Sequence, residues 1–160
     1  MSRIKVLFRL EPDEDGWPPS TAETLWADPL GNDEYRLDNS PFYVRGVSNQ
    51  DVVIAHEDDS DEFHRLVFSR VARRGGHSTY RFILHHGKID DARNQKYWTQ
   101  LATLGCSYEG MNGLLFSVDV PPGADVAQVY RILEEGENED VWGFEEGHYF
   151  ETITLLGNQT

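Results

Sequence analysis

Downstream of Gly75-Gly76 the apolar residues change period in a set order, and that order constrains the fold more than any other feature. Tyr80, Phe82 and Leu84 alternate through residues 80–86, the pattern of a half-buried strand. Asp90 or Asp91 then opens a helix running to Leu104, because a short carboxylate can accept from unpaired first-turn amides. Tyr97, Trp98, Leu101 and Ala102 form its apolar stripe, and Gly105 ends it. Residues 106–111 and 114–120 read as two strands joined at Asn112-Gly113, a dipeptide that tolerates the positive φ of a tight hairpin. Pro121-Pro122-Gly123 closes that hairpin, and Asp125 with Gln128 makes a capping-box start for a second helix. Its stripe is Val126, Val129, Tyr130 and Leu133, and Gly136 is expected to terminate it. Val141, Trp142, Phe144 and Tyr149 lie in a last strand. Strand, helix, strand, strand, helix, strand is the order of a split-βαβ, ferredoxin-like unit.

Upstream, short β patterns are broken by turn chemistry. Ile4, Val6, Phe8 and Leu10 alternate with Lys5, Leu7 and Arg9. After a polar loop with Asp13-Glu14-Asp15-Gly16 and Pro18-Pro19 come residues 23–27, a turn at Pro29-Leu30-Gly31-Asn32, and residues 34–37. A turn at Asp38–Pro41 precedes Phe42-Tyr43-Val44; Val52-Val53-Ile54 and residues 63–73 complete the set. Five or six short strands at even spacing predict a small antiparallel barrel, SH3-like, whose closure hides its strand edges. The expected architecture is therefore α+β: an SH3-like barrel in residues 1–75 and a ferredoxin-like unit in 76–160, packed as one rigid body.

With 39% hydrophobic and 12% aromatic residues, 160 residues are enough for a packed core rather than a disordered chain. Charges interrupt the amino-terminal apolar residues, so no signal-peptide core forms, and no run approaches the roughly 18 apolar residues of a membrane span. Cys106 is the single cysteine, which excludes an internal disulfide and a cysteine metal cluster. These features predict a cytoplasmic protein with no membrane contact.

The net charge of −14 is unevenly spread. Residues 1–63 carry −10, residues 64–96 carry +6 with four of the six histidines, and residues 97–160 carry −10. A basic belt thus lies between acidic flanks. It can pair with those flanks inside the monomer, or it can hold a ligand.

No motif marks a catalytic or metal centre. His85-His86 are adjacent on an expected strand, so their side chains should diverge and fail to share an ion. Neither His-x-x-x-His nor His-Glu-x-x-His occurs, and a site from His64, His77 and one of the pair would need a tertiary coincidence. There is no Gly-x-Ser-x-Gly elbow, and Cys106, beginning a strand, reads as a small buried hydrophobe. The run Asp58-Asp59-Ser60-Asp61-Glu62 lacks the spacing and glycine of an EF-hand loop. No cofactor or metal is expected. Residues 73–81 are the most suggestive: Arg73, Arg74, His77, Ser78 and Arg81 around Gly75-Gly76 could surround an anion. This is not a P-loop, because no Gly-Lys-Ser/Thr opens a helix.

The strings Glu23-Thr24-Leu25-Trp26-Ala27, Pro29-Leu30-Gly31, Tyr35-Arg36-Leu37-Asp38-Asn39 and Pro41-Phe42 resemble bacterial proteins of the domain of unknown function 4265 family. Gly46, Asp51-Val52-Val53, Gly76-His77-Ser78-Thr79, Leu104-Gly105-Cys106 and Val118-Asp119-Val120-Pro121 continue the likeness over nearly the whole chain. The resemblance implies a stand-alone bacterial protein and supplies no activity, substrate or site residue.

Two functional expectations follow. The first is a non-enzymatic binding protein, an immunity-type inhibitor whose acidic surfaces neutralise a basic toxin domain. Its contact residues would be Asp58, Asp59, Asp61 and Glu62, with Glu134, Glu135, Glu137, Glu139 and Asp140. The second is a regulator binding an anion, nucleotide or RNA through the 64–96 belt, though overall acidity opposes tight nucleic-acid binding.

Overall fold

The computed structural model describes residues 3–150, so residues 1–2 and 151–160 of the two expected halves lie outside it. The protein is mixed α+β, with two sheets and two helices among the described residues. In the first sheet β1 (Ile4–Arg9), β2 (Ala22–Gly31), β3 (Glu34–Leu37), β4 (Val52–Glu57) and β5 (Leu66–Arg73) follow one another antiparallel. The successive reversals return β5 to the direction of β1, so these two close the sheet by a parallel pairing, Leu7 opposite Val67. Val6, Phe8, Leu25, Ala27, Leu37, Val47, Val53 and Ala55 fill its interior.

Two local expectations upstream are corrected. The turn predicted at Pro29–Asn32 sits two residues later. β2 runs through Pro29 to Gly31, and Asn32 and Asp33 turn the chain with φ of 56° and 62°. Pro29 is accommodated because the β2–β3 register shifts between Pro29 and Gly31, where no ladder amide is required. Residues 42–44 are not a strand. They belong to the 38–51 connection, and their amides donate to the Glu23 carboxylate at 2.6, 3.0 and 2.8 Å. A side chain thus satisfies the backbone donors that a ladder would otherwise take.

The second half contains β6 (Ser78–Leu84), α1 (Ala92–Thr103), β7 (Ser107–Met111), β8 (Leu115–Val120), α2 (Val126–Asn138) and β9 (Trp142–His148), the expected succession. The strands lie in the order β7-β8-β6-β9, all antiparallel. Asn112 and Gly113 make the β7–β8 turn with φ of 58° and 72°. Both helices cover one face of the sheet. Tyr80, Phe82, Leu84, Phe116, Val118 and Val120 meet Tyr97, Trp98, Leu101, Val129, Ile132 and Leu133 in one core.

The helix ends depart from the sequence reading. Asp91 precedes α1 but does not cap it with its side chain; its carboxylate accepts the Lys88 amide instead, at 2.8 Å. Ala102 is exposed, and Asn94 takes a buried place on the stripe, its amide donating to His86 and Lys88 carbonyls. Asp125 does cap α2, accepting from the Gln128 amide at 3.1 Å. Gly136 does not end α2. It lies inside the helix, where the Trp142 indole packs so closely that a Cβ would sit 2.6 Å from it. The indole N–H donates to the Leu133 carbonyl at 2.9 Å, which holds the ring against the glycine.

Candidate binding surface

The helix-free face of the second sheet receives the 38–51 connection, and the seam is polar. Arg81 projects from β6 and is 1% exposed. It donates to the Val44 and Tyr43 carbonyls at 2.8 and 2.9 Å and to Glu145 at 3.0 Å. Burial pushes its pKa down from the ordinary guanidinium value, and Glu145 opposes that shift. Gly147 lies beneath it, since a Cβ there would be 2.6 Å from the guanidinium. Ser117 donates to the Pro41 carbonyl at 2.6 Å, Ser48 and Thr79 hydroxyls meet at 2.6 Å, and Glu109 accepts the Ser40 amide at 2.6 Å. Burial raises the Glu109 pKa.

The belt residues do not converge on a common ligand. Arg73 is bidentate on Glu34, both contacts 3.0 Å. Arg74 donates to the fully buried Asp51 at 3.0 Å and to the Gly46 carbonyl. Asp51 also accepts the Gly75 amide. His77 lies 2.9 Å from Asp119, and Ser78 is buried with its hydroxyl accepting the Phe150 amide. Arg81 faces inward. Internal carboxylates occupy four of the five predicted anion-site residues, Ser78 excepted. Arg36 is the addition that sequence reasoning missed: with Gln50, Arg73, Arg74 and His77 it lines a shallow concavity of about 330 Å³.

His85 and His86 correct another expectation. β6 ends at Leu84, so strand alternation no longer separates them, and both rings converge on Asp140 at 2.7 and 2.9 Å. Their hydrogen bonds, His86 first, hold the Asp140 carboxyl below its usual range. His64 lies against Glu57, far from that pair in role and partner. Among the described residues no three His, Cys, Asp or Glu side chains are grouped to hold a metal ion. Cys106 is buried, which pushes its thiol up to about 12. Among the described residues no helix is long and apolar enough to cross a membrane.

The predicted acidic contacts divide into two kinds. In the β4–β5 loop, Asp58 accepts from Arg9 and Ser60, and the buried Asp61 is bidentate on Arg65. These hydrogen bonds hold both carboxyls below their usual range, and the two residues shape the loop. Asp59 and Glu62 remain exposed there beside Phe63, which is 72% exposed. On α2 and just past its C-terminal end, by contrast, Glu134, Glu135, Glu137, Glu139 and Asp140 are all exposed. The Glu134, Glu135 and Glu139 carboxylates have no ion-pair or hydrogen-bond partner among the described residues. They crowd the helix end that already carries the negative pole of the backbone dipole.

Glu137 connects this ridge to a cleft of about 420 Å³ that Trp17, Ile83, Leu115, Phe144 and Glu145 help to line. Trp17 reaches it from the β1–β2 loop, its indole donating to Glu145 at 3.0 Å and its ring edge-on to Tyr43. Sequence reasoning passed over Trp17; a lone tryptophan in an otherwise acidic loop was the available signal.

Fold and ridge together define a class: a two-sheet α+β protein with a polar seam and a strongly acidic outer helix. The sequence matches the family described as domain of unknown function (DUF4265) over residues 23–144, and the chain belongs to that family. A solved structure with the same arrangement is a hypothetical protein from Neisseria gonorrhoeae. The TM-score is 0.71 at 15% identity, over 93% of this chain and 96% of that one, a likeness of fold. No curated protein matches the sequence.

Proposed function

We propose that this is a non-enzymatic binding protein whose acidic outer helix occludes a basic partner. The fitting partner is a toxin domain whose active site handles nucleic acid or nucleotide, which makes the protein an immunity-type inhibitor. One observation carries the reading. Most arginines of the basic belt are engaged inside the chain, whereas the Glu134, Glu135 and Glu139 carboxylates find no partner among the described residues and sit at an electrostatically unfavourable helix end. Dense carboxylates can stand in for phosphates and steer association with a basic cleft. The apolar cleft beside Glu137 would take an anchoring side chain from the same partner. The reading extends to architecture, with the closed five-stranded sheet as an SH3-like barrel and the β7-β8-β6-β9 sheet as a ferredoxin-like unit. It extends also to a cytoplasmic setting, which the single buried thiol suits.

The test is affinity capture from the protein's own cells, washed at low and then high salt, followed by kinetics with the identified partner. A basic partner released by salt is expected, with association slowed at least about tenfold by the triple variant Glu134→Lys, Glu135→Lys, Glu139→Lys. Unchanged association would overturn the proposal.

A second reading has one observation in its favour: Arg36, Arg73, Arg74 and His77 share a concavity, and Arg36 has no carboxylate partner among the described residues. Phosphate should then raise the melting temperature, and Arg36→Ala should remove the rise. Arg36 is the informative position because Arg74→Ala would also strip the buried Asp51 of its partner.

A further inference from the structure

Between α2 and the end of β9 lies a cleft of about 310 Å³, separate from the acidic ridge and lined by Tyr80, Val126, Ala127, Tyr130, Glu146 and Tyr149. Tyr80 is 1% exposed, whereas Tyr130 and Tyr149 are 43% and 37% exposed. The Tyr80 and Tyr130 ring centroids are 6.3 Å apart at 63°, and Phe144 packs edge-on against Tyr130 at 5.5 Å. The Tyr80 hydroxyl is directed at Glu146, 3.5 Å away. Burial, first among the causes, raises the Tyr80 pKa, so the group stays a neutral donor.

The chemistry of this lining is specific. Three phenol rings, whose faces are the negative part of their quadrupoles, line the cleft around one carboxylate, and among the described residues no Lys, Arg or His forms an ion pair with Glu146. Tyr130 breaks the pattern of its helix: Val129, Ile132 and Leu133 are buried, yet this ring remains nearly half in water. An anion would be repelled by Glu146, and a neutral apolar ligand would desolvate that carboxylate without compensation. A cation with an apolar shell satisfies both, because ring quadrupoles attract it and the carboxylate balances its charge. We infer that this cleft binds an alkylammonium group. The cation can arrive as a free small amine or as the side chain of a lysine, methylated or not, on another protein. The site stands whether or not the acidic ridge binds a toxin.

The experiment is a titration of the full chain with four probes, following tyrosine ring resonances by NMR. The probes are choline, Nα-acetyl-lysine amide, its trimethylated form, and the neutral tert-butyl isostere of the trimethylated form. At least one cation is expected to saturate and to shift the Tyr80, Tyr130 and Tyr149 rings, binding about tenfold or more tighter than the neutral isostere. Choline binding as well as the lysine derivatives marks a free-amine site; binding confined to the lysine derivatives marks recognition of a protein side chain. Glu146→Gln should weaken binding several-fold and Tyr130→Leu should abolish it. Tyr130→Phe, which keeps the ring, should retain it. Because Tyr130 and Glu146 are surface residues, these variants remain folded. Equal binding of the neutral isostere, or saturation by none of the cations, would overturn the inference.

Discussion

Glu23 and Arg81 grip the same short segment from opposite sides. Glu23, on β2, takes the amides of Phe42, Tyr43 and Val44, while Arg81, on β6, donates to the Tyr43 and Val44 carbonyls. One side chain comes from each sheet, so a stretch without ladder partners becomes the joint between them. The backbone polar groups are satisfied without secondary structure, at the cost of burying a guanidinium.

That joint predicts a coupled pair of substitutions. Arg81→Met should destabilise the protein by about 3–5 kcal/mol, because it orphans the buried Tyr43 and Val44 carbonyls and leaves Glu145 with only Trp17 and Arg45 as partners. Gly147→Ala should cost about 1–3 kcal/mol, because its Cβ would lie 2.6 Å from the guanidinium. The double variant should lose less than the two together, since the methyl gains room once Arg81 is gone. Urea unfolding midpoints of the four proteins measure this, and strict additivity would show that the close approach is unimportant.

Gly136→Ala should act against helix propensity. In a helix interior the change ordinarily adds roughly 1 kcal/mol of stability. Here the new methyl meets the Trp142 indole at 2.6 Å, and the ring is tied to the Leu133 carbonyl. A net loss of about 1–3 kcal/mol is expected in thermal or chemical unfolding. A gain in stability would mean that the indole can move aside freely.

His148 should make the fold sensitive to acid. Its Nε2 is buried with no hydrogen-bond partner among the described residues, and burial, then the nearby Arg74, lower its pKa from the ordinary 6.5, with Asp51 opposing. A depressed folded-state pKa means that the unfolded chain binds the proton first. The neutral ring's contribution is therefore present above about pH 6.5 and is lost as pH falls through the folded pKa. His148→Gln should lose less stability than the parent between pH 8 and pH 5. Parallel pH profiles for the two proteins would contradict the assignment.

Legibility in the sequence tracked how local the cause was. The Asn112-Gly113 turn and the Asp125 cap were readable because each depends on contacts within a few residues. Gly136 misled because its neighbour Trp142 matters more to it than its own backbone preference. His85 and His86 misled because alternation holds only while a strand lasts, and this one ends at Leu84. The predicted anion site dispersed for the same reason: Glu34, Asp51, Asp119 and Glu145, which take its arginines and histidine, are distant along the chain.

By itself the sequence determined the succession of strands and helices downstream of Gly76, the family, and the excess of negative charge, since periodicity, motif strings and composition are properties of the chain. Only the tertiary structure decided which charges are consumed and which are displayed. Asp51, Asp61 and Glu134 are all carboxylates in the sequence, yet the first two are buried against arginines and the third faces water. Ion pairing depends on separations of a few ångströms, and folding sets those between residues that the sequence holds far apart.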